Sequence, residues 1–106
     1  MQRGEVWWAN LPPPWNRRPV LLLSRTAAYS ILTYVVVAPL TSTIREARSY
    51  VPLDPRADGV LQPSVINVDA IQGVNVEWLD SKITQLRPEK MDAVEKAIHF
   101  ALAMKS

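Results

Sequence analysis

Two apolar runs constrain the fold of this chain more than any other feature of its sequence. The first covers residues 20–24 and the second covers residues 33–41, and both are rich in residues that favour strands. Runs of this length are typical of buried β-strands. Residues 25–32 between them are long enough for a helical turn or a wide loop. We therefore expect the two runs to pair as an antiparallel hairpin that reverses near residues 29–30.

This hairpin would bring a cation and a hydroxyl together. With the reversal centred at residues 29–30, Arg18 lies opposite Thr41, and directly opposed residues of antiparallel strands point to the same face of the sheet. Both side chains can donate hydrogen bonds to phosphate oxygens, so the pattern predicts a phosphate-binding site at the mouth of the hairpin. Two simpler interpretations remain open. Arg18 could form a surface salt bridge, and the hydroxyls of Thr41, Ser42 and Thr43 could satisfy nearby backbone groups.

The composition excludes several classes of chemistry. The chain has 106 residues, 48% of them apolar, which is typical of one globular domain, so we predict a single domain over residues 1–106. It has no Cys and one His, which excludes disulfides, thiol nucleophiles and sites built from several histidines. We expect no metal and no cofactor. No apolar run approaches about 20 residues and no signal peptide is evident, so we expect a soluble, cytoplasmic protein that does not bind membranes.

The positive charge is concentrated in one half of the sequence. Residues 1–50 contain six arginines, no lysine and two acidic residues, whereas the remaining residues contain six basic and eight acidic side chains. Arginine is well suited to contact phosphates and to stack on nucleobases. This distribution favours a polyanionic ligand, although scattered surface arginines would give the same counts.

Further segments complete a mainly β chain with one C-terminal helix. Strands are predicted over residues 4–11, 49–53, 64–71 and 82–86, and a turn is predicted over residues 54–59. The third of these strands alternates strictly, and Asp69 lies near its end. Pro39, near the end of the second apolar run, indicates an edge or a bulge there. Pro88 fits the first position of a helix that runs to about residue 104.

The predicted helix carries two apolar stripes. One contains Met91, Val94, Ile98, Ala101 and Leu102, and the other contains Ala93, Ala97, Phe100 and Met104. Together they are wider than a single packing face requires. The simpler interpretation is a helix set in a groove of its own sheet. We favour a second packing face, for a dimer or for another partner.

Aromatic residues near the predicted phosphate site are candidates for nucleobase contact. Trp15 lies in the stiff, proline-rich connection of residues 12–16, beside Arg17 and Arg18. There it could stack on a base or serve as a hydrophobic lid over the sheet. The other three tryptophans, Trp7, Trp8 and Trp78, are expected in the core or at an interface.

Five segments, in this order, resemble the MazF/PemK family of toxin endoribonucleases from toxin–antitoxin pairs. They are residues 3–7 (Arg-Gly-Glu-Val-Trp), 18–21 (Arg-Pro-Val-Leu), 39–42 (Pro-Leu-Thr-Ser), 64–69 (Ser-Val-Ile-Asn-Val-Asp) and 86–91 (Leu-Arg-Pro-Glu-Lys-Met). The resemblance extends over nearly the whole chain. It implies a small SH3-like antiparallel β-barrel of the CcdB/PemK type that works as a homodimer. It also implies metal-independent, sequence-specific cleavage of single-stranded RNA, in which the 2′-hydroxyl of the substrate attacks and leaves a 2′,3′-cyclic phosphate and a 5′-hydroxyl.

The resemblance also implies roles for individual residues. The family's catalytic pair is the arginine before the proline and the threonine after the buried strand, which match Arg18 and Thr41. Asp69 matches an acidic position associated with RNA contact, and Ser49 and Tyr50 match a base-contacting stretch. Neighbours of these positions complete the predicted RNA-binding set, namely Trp15, Asn16, Arg17, Ser42 and Gln72. The implied partners are single-stranded RNA and a cognate antitoxin with an acidic, flexible tail.

Two departures from the family pattern leave other functions open. Residues 12–17 replace a longer first loop, and Ala70 and Gln72 replace the Gln and Arg that usually follow the acidic position. One alternative is a non-catalytic RNA-binding barrel. Another is a gyrase-poisoning toxin of the same fold, which binds a protein, cleaves nothing and does not need the Arg18–Thr41 pair.

Overall fold

The computed structural model describes residues 1–105. The strands, in chain order, are β1 (Glu5–Asn10), β2 (Arg17–Leu22), β3 (Tyr34–Thr41), β4 (Tyr50–Leu53), β5 (Ser64–Asn67), β6 (Gln72–Asn75) and β7 (Leu79–Gln85). The helices are α1 (Pro55–Asp58) and α2 (Pro88–Ala101), and short 3₁₀ turns cover Thr26–Ser30, Val68–Ala70 and Val76–Trp78. The prediction of a mainly β fold with a C-terminal helix is confirmed.

β2 and β3 form the predicted hairpin in the predicted register. The paired residues are Val20 with Pro39, Leu21 with Ala38 and Leu22 with Val37. Extending this register by two residues places Arg18 opposite Thr41. β2 begins at Arg17, earlier than predicted, because Arg17 and Arg18 also pair with β1. The turn at Thr26–Ser30 is the helical turn expected in the connection.

All strand pairs are antiparallel, and β3 is central to the sheet. The strand order is β4-β5-β3-β2-β1-β7, and β6 also pairs with β3. Because β2 occupies one edge of β3, β5 and β6 share the other edge, one after the other. Pro39 lies between the β6 ladder, which ends at Val37, and the β5 ladder, which begins at Leu40. The edge or bulge predicted at this proline is found as a gap between two ladders, and the missing N–H costs no ladder bond in this gap.

The single strand predicted over residues 64–71 is wrong. β5 pairs Thr41 with Val65, a register that would carry residue 69 to a position opposite Val37. Gln72 is found there instead, so three extra residues are extruded as the turn Val68–Ala70. Strict alternation of apolar and polar residues cannot reveal such a turn, because the same alternation continues before and after the turn. Asp69 therefore lies on a 3₁₀ turn and not at the end of a strand.

Two apolar clusters lie on the two faces of the sheet. α2 covers one face with Met91, Val94 and Ala97, which pack against Val6, Leu21 and Leu40. The other face buries Val20, Leu22, Val35, Val37 and Val74, with Trp7, Trp15 and Trp78 packed against them. The first predicted stripe of α2 therefore faces the core, except for its exposed end at Leu102. The second stripe leaves Ala93, Phe100 and Met104 exposed.

The two ends of the sheet meet through a turn and not through a strand ladder. Asp54 caps α1 with its side chain, and Gly59 ends the helix in the left-handed region with φ of 79°. The hydroxyl of Thr84 in β7 donates a hydrogen bond to the carbonyl oxygen of Asp58 at 3.2 Å. Within residues 1–105 no ladder joins β4 to β7, so the predicted barrel is closed only by this turn.

α2 ends at Ala101, three residues before the predicted end. The N–H of Ala103 bonds to the carbonyl of Phe100, and the N–H of Met104 bonds to the carbonyl of His99. Ala103 adopts a left-handed φ of 55°. These features form a Schellman motif, which terminates the helix through local hydrogen bonds.

Candidate functional site

An open pocket of about 390 Å³ lies where β2 and β3 meet at the end of the hairpin. Its polar lining comes from Arg17 and Arg18 at the start of β2, from the hydroxyls at the end of β3, and from the loop before β5. The lining residues are Trp8, Arg17, Arg18, Pro19, Leu40, Thr41, Ser42, Thr43, Val60, Leu61, Gln62, Ser64 and Ile83. The predicted catalytic pair, Arg18 and Thr41, thus shares one pocket with two members of the predicted RNA-binding set, Arg17 and Ser42.

Arg18 is held in place by backbone acceptors and keeps donors free. Its Nε donates to the carbonyl of Trp15 at 2.8 Å, and one terminal nitrogen donates to the carbonyl of Leu40 at 3.4 Å. The guanidinium also stacks on the Trp15 ring, 5.2 Å from the ring centroid. A guanidinium has five N–H groups, so three remain for a ligand. No carboxylate pairs with Arg18 among the described residues, which excludes the predicted alternative of a surface salt bridge.

Thr41 keeps its hydroxyl proton available. Its Oγ1 accepts a hydrogen bond from the N–H of Thr43 at 3.2 Å. The simpler interpretation of the hydroxyl cluster, that it satisfies nearby backbone groups, is therefore correct for this contact. Since a hydroxyl both accepts and donates, accepting from Thr43 leaves the proton of Thr41 free to reach a phosphate oxygen.

Arg17 lies in the same pocket but has a different environment. Its guanidinium forms an ion pair with Asp80 and donates to Oδ1 of Asn10 at 3.0 Å. The hydrogen bonds from Arg17, followed by that from Ser81, lower the pKa of Asp80 to about 2. Asp80 therefore carries a negative charge throughout the neutral range, and it balances the charge of Arg17.

The tryptophans divide differently from the prediction. Trp7 and Trp78 pack against the core, as expected. Trp8 instead lines the pocket, and its ring lies 4.8 Å from the guanidinium carbon of Arg17. Successive residues of a strand point to opposite faces of the sheet, so the positions of Trp7 and Trp8 along β1 could have shown that only one of them packs against this core. Trp15 combines both predicted roles, because it packs on the core and also covers Arg18.

The remaining predicted RNA-binding residues lie outside this pocket within one protomer. Ser49 donates to Oδ2 of Asp69 at 2.6 Å, and Tyr50 pairs with Asn67 at the end of β4. Gln72, at the start of β6, donates to the carbonyl of Ala70 in the preceding turn. Among the described residues Asn16 makes one side-chain hydrogen bond, a 3.4 Å contact to the carbonyl of Pro14 in the exposed connection. Asp69 and Ser49 thus form a second polar group that a single protomer does not bring to the Arg18–Thr41 pocket.

Nothing in the residue chemistry of the pocket resembles a metal site. Among residues 1–105, no three His, Asp or Glu side chains lie close enough together to hold a metal ion. No helix in the described part of the chain has the length and hydropathy that a membrane span requires.

Comparison with known proteins gives one consistent family. The sequence model of one protein family, the PemK-like, MazF-like toxins of type II toxin–antitoxin systems, matches residues 2–102. The chain is 39% identical to the probable endoribonuclease MazF5 of Mycobacterium tuberculosis, covering 94% of this chain and 91% of that protein. It is 31% identical to the endoribonuclease EndoA of Bacillus subtilis, over 98% of this chain and 96% of that protein. Among solved structures, the Mycobacterium tuberculosis toxin MazF-mt6 superposes with a TM-score of 0.87 at 34% identity, over 96% of this chain and 99% of that one.

Proposed function

Since the chain belongs to the PemK-like, MazF-like toxins of type II toxin–antitoxin systems, we propose that it is a toxin endoribonuclease and that its Arg18–Thr41 pocket cleaves single-stranded RNA. Relatives at 39% and 31% identity are named endoribonucleases. One observation carries the proposal. An arginine with three free N–H groups and a threonine with a free hydroxyl proton line the same pocket.

In the proposed reaction the RNA supplies its own nucleophile. The 2′-oxygen forms a bond to the adjacent phosphorus while the bond from phosphorus to the 5′-oxygen breaks, which gives a 2′,3′-cyclic phosphate and a 5′-hydroxyl. The free N–H groups of Arg18 would bind the nonbridging oxygens, where negative charge grows in the transition state. Thr41 would add a hydroxyl donor and hold the phosphate in line for the attack.

The proton of the 2′-hydroxyl needs a base, and a proton must reach the leaving 5′-oxygen. Arg18 is a poor base near neutral pH because a guanidinium has a pKa above about 12. The pocket lining contains no carboxylate and no imidazole. Asp69 accepts a hydrogen bond from Ser49 and does not belong to the lining. We therefore assign both proton transfers to water.

The proposed partners follow from the family and from the surface. A type II toxin has a cognate antitoxin, for which we propose an acidic, flexible segment that folds onto the toxin. The exposed stripe of α2 carries Phe100, which is 45% exposed and lies under the guanidinium of Arg48 at 4.3 Å, and Met104, which is 52% exposed. We propose that this stripe contributes to the homodimer or to antitoxin binding. We propose that the protein acts in the cytoplasm, where it would meet its RNA substrate.

The test is cleavage of a long single-stranded RNA by the purified protein in EDTA, followed by mapping of the new ends. We expect discrete cuts at a short sequence, with 5′-hydroxyl and 2′,3′-cyclic phosphate ends. Replacing the ribose at a mapped cut by 2′-deoxyribose should abolish that cut, because the nucleophile is removed. Cuts with 5′-phosphate ends would contradict the mechanism. A folded protein that cuts nothing would favour the RNA-binding barrel or the gyrase-poisoning toxin.

A further inference from the structure

The two arginines of the pocket differ in their electrostatic state. Among residues 1–105, Arg18 is bound only by carbonyl oxygens and a tryptophan ring, so no described carboxylate compensates its positive charge. Arg17 is paired with Asp80, and Asn10 bridges the pair, because it accepts from Arg17 at 3.0 Å and donates to Asp80 at 3.3 Å. Two neighbouring arginines therefore offer a ligand different chemistry: Arg18 is a cation without a carboxylate partner among the described residues, and Arg17 is a cation whose charge is balanced by Asp80.

Arg17 is also fixed against an aromatic ring by the sheet. Asn10 pairs with Arg17 and Trp8 pairs with Pro19, so these side chains share one face of the β1–β2 ladder. The guanidinium carbon of Arg17 lies 4.8 Å from the centroid of the Trp8 ring. Both side chains line the pocket, and the side chain of Arg17 remains 47% exposed. Since most of its donors face Asp80 and Asn10, the surface of Arg17 that remains for a ligand is its flat face.

We propose that Trp8 and Arg17 form a stacking wall for one nucleobase next to the scissile phosphate, and that Asp80 is a positioning residue that holds Arg17 against Trp8. This inference rests on the proposed function and adds the base subsite to it. A flat guanidinium stacks well on aromatic rings, and nucleobases have such a ring surface. Because the charge of Arg17 is balanced, the wall contributes stacking and shape, whereas Arg18 contributes the phosphate contact.

The experiment uses an RNA oligonucleotide that contains a mapped cut, with 2′-deoxyribose at the scissile position so that the complex does not turn over. The base at each flanking position is replaced in turn by 2-aminopurine, whose fluorescence is quenched by stacking. We expect strong quenching at one flanking position on binding to the wild-type protein. Arg17→Ala should abolish this quenching and weaken binding about tenfold, as the loss of one stacked base typically does.

Salt dependence separates the two arginines. For single-stranded nucleic acid, each phosphate contact contributes about 0.7 to the slope of log K against log salt concentration. Arg18→Ala should reduce that slope by about this amount, whereas the double variant Arg17→Leu with Asp80→Asn, which removes the ion pair as a whole, should leave it unchanged. Arg17→Lys keeps the positive charge but lacks the planar group, so it should lose the quenching too. Asp80→Asn, which releases Arg17 from its position, should weaken the quenching. Arg25→Ala, at an exposed arginine outside the pocket, should change neither the quenching nor the salt slope.

The outcomes are distinguishable. If the double variant lowers the salt slope as much as Arg18→Ala does, Arg17 is a phosphate contact and the inference is wrong. Unchanged quenching and affinity in Arg17→Ala and Arg17→Lys would overturn it as well. A wild-type protein that neither binds nor cuts RNA would instead refute the proposed function. Melting curves that match the wild type establish that each variant is folded.

Discussion

Thr41 illustrates how one hydroxyl can serve both the fold and the chemistry. It accepts from the N–H of Thr43 and keeps its own proton for a ligand. Thr41→Val preserves the shape but removes the donor, so we expect RNA turnover to fall by roughly 10²–10³-fold, as for other lost transition-state donors. Thr41→Ser retains the hydroxyl and should stay within about tenfold of the wild type by the same reasoning. Single-turnover rates at saturating RNA measure both variants, and equal losses would show that the methyl group and not the hydroxyl matters.

Asp80 gives a prediction that does not depend on activity. Because Arg17 donates hydrogen bonds to it, the pKa of Asp80 is lowered to about 2 from the ordinary 3.8. The ionised form is therefore favoured in the folded protein, and the associated stability is present above pH 3.8 and is lost as the pH falls towards 2. Arg17→Ala should return the pKa of Asp80 most of the way to 3.8. Carboxyl-carbon NMR titration measures this directly, and an unchanged low pKa in the variant would mean that Arg17 is not its cause.

At the scale of elements, the end of α2 contains an unfavourable residue. Ala103 adopts the left-handed conformation of the Schellman motif, which costs an L-residue about 1–2 kcal/mol and costs glycine little. Ala103→Gly should therefore raise the free energy of unfolding by about 0.5–1 kcal/mol after the entropy of the unfolded glycine is included. Ala93→Gly, at an exposed position inside the same helix, should lower it by about 1 kcal/mol. Urea unfolding at one fixed protein concentration compares the two, and a shift of the same sign in both would contradict this account.

The elements also show what sequence patterns can and cannot determine. The β2–β3 hairpin was predictable in register, because two apolar runs with one short connection allow few ways to pair. The turn at Val68–Ala70 was not predictable, because β5 and β6 follow the same alternation of apolar and polar residues. The three extra residues become visible only when β5 and β6 are both paired with β3. The consequence for the site is direct. Asp69, predicted near the end of one strand, is turned towards Ser49.

At the scale of the whole molecule, the contact between α1 and β7 holds the two ends of the sheet together. A Cβ on Gly59 would lie 2.5 Å from Oγ1 of Thr84, and the left-handed φ of Gly59 adds strain. We expect Gly59→Ala to destabilise the protein by about 2 kcal/mol or more. Gly73→Ala is the matched control, because no atom lies within 4 Å of its added Cβ, and it should cost less than about 0.5 kcal/mol. Similar unfolding midpoints for both variants would show that the ends of the sheet do not depend on this contact.

The site as a whole was only partly predictable. Arg18 and Thr41 follow from one hairpin register, and Arg17 and Ser42 were predicted as their neighbours; all four are found in one pocket. Trp8 was missed although alternation along β1 separates it from Trp7, and Asp80 was missed because it comes from β7, which is distant in sequence from Arg17. The group around Ser49, Tyr50 and Asp69 lies outside the pocket of one protomer, and its link to RNA remains a prediction.

The proposed function depends most on Arg18, which we expect to stabilise the transition state of RNA cleavage. The most direct test is the single-turnover cleavage rate of Arg18→Ala in EDTA, at saturating RNA, beside the wild type and Arg25→Ala. We expect a loss of about 10²–10³-fold or more for Arg18→Ala, with no change for Arg25→Ala and with melting curves unchanged. Cleavage by folded Arg18→Ala at the wild-type rate would contradict it and move the chemistry out of this pocket.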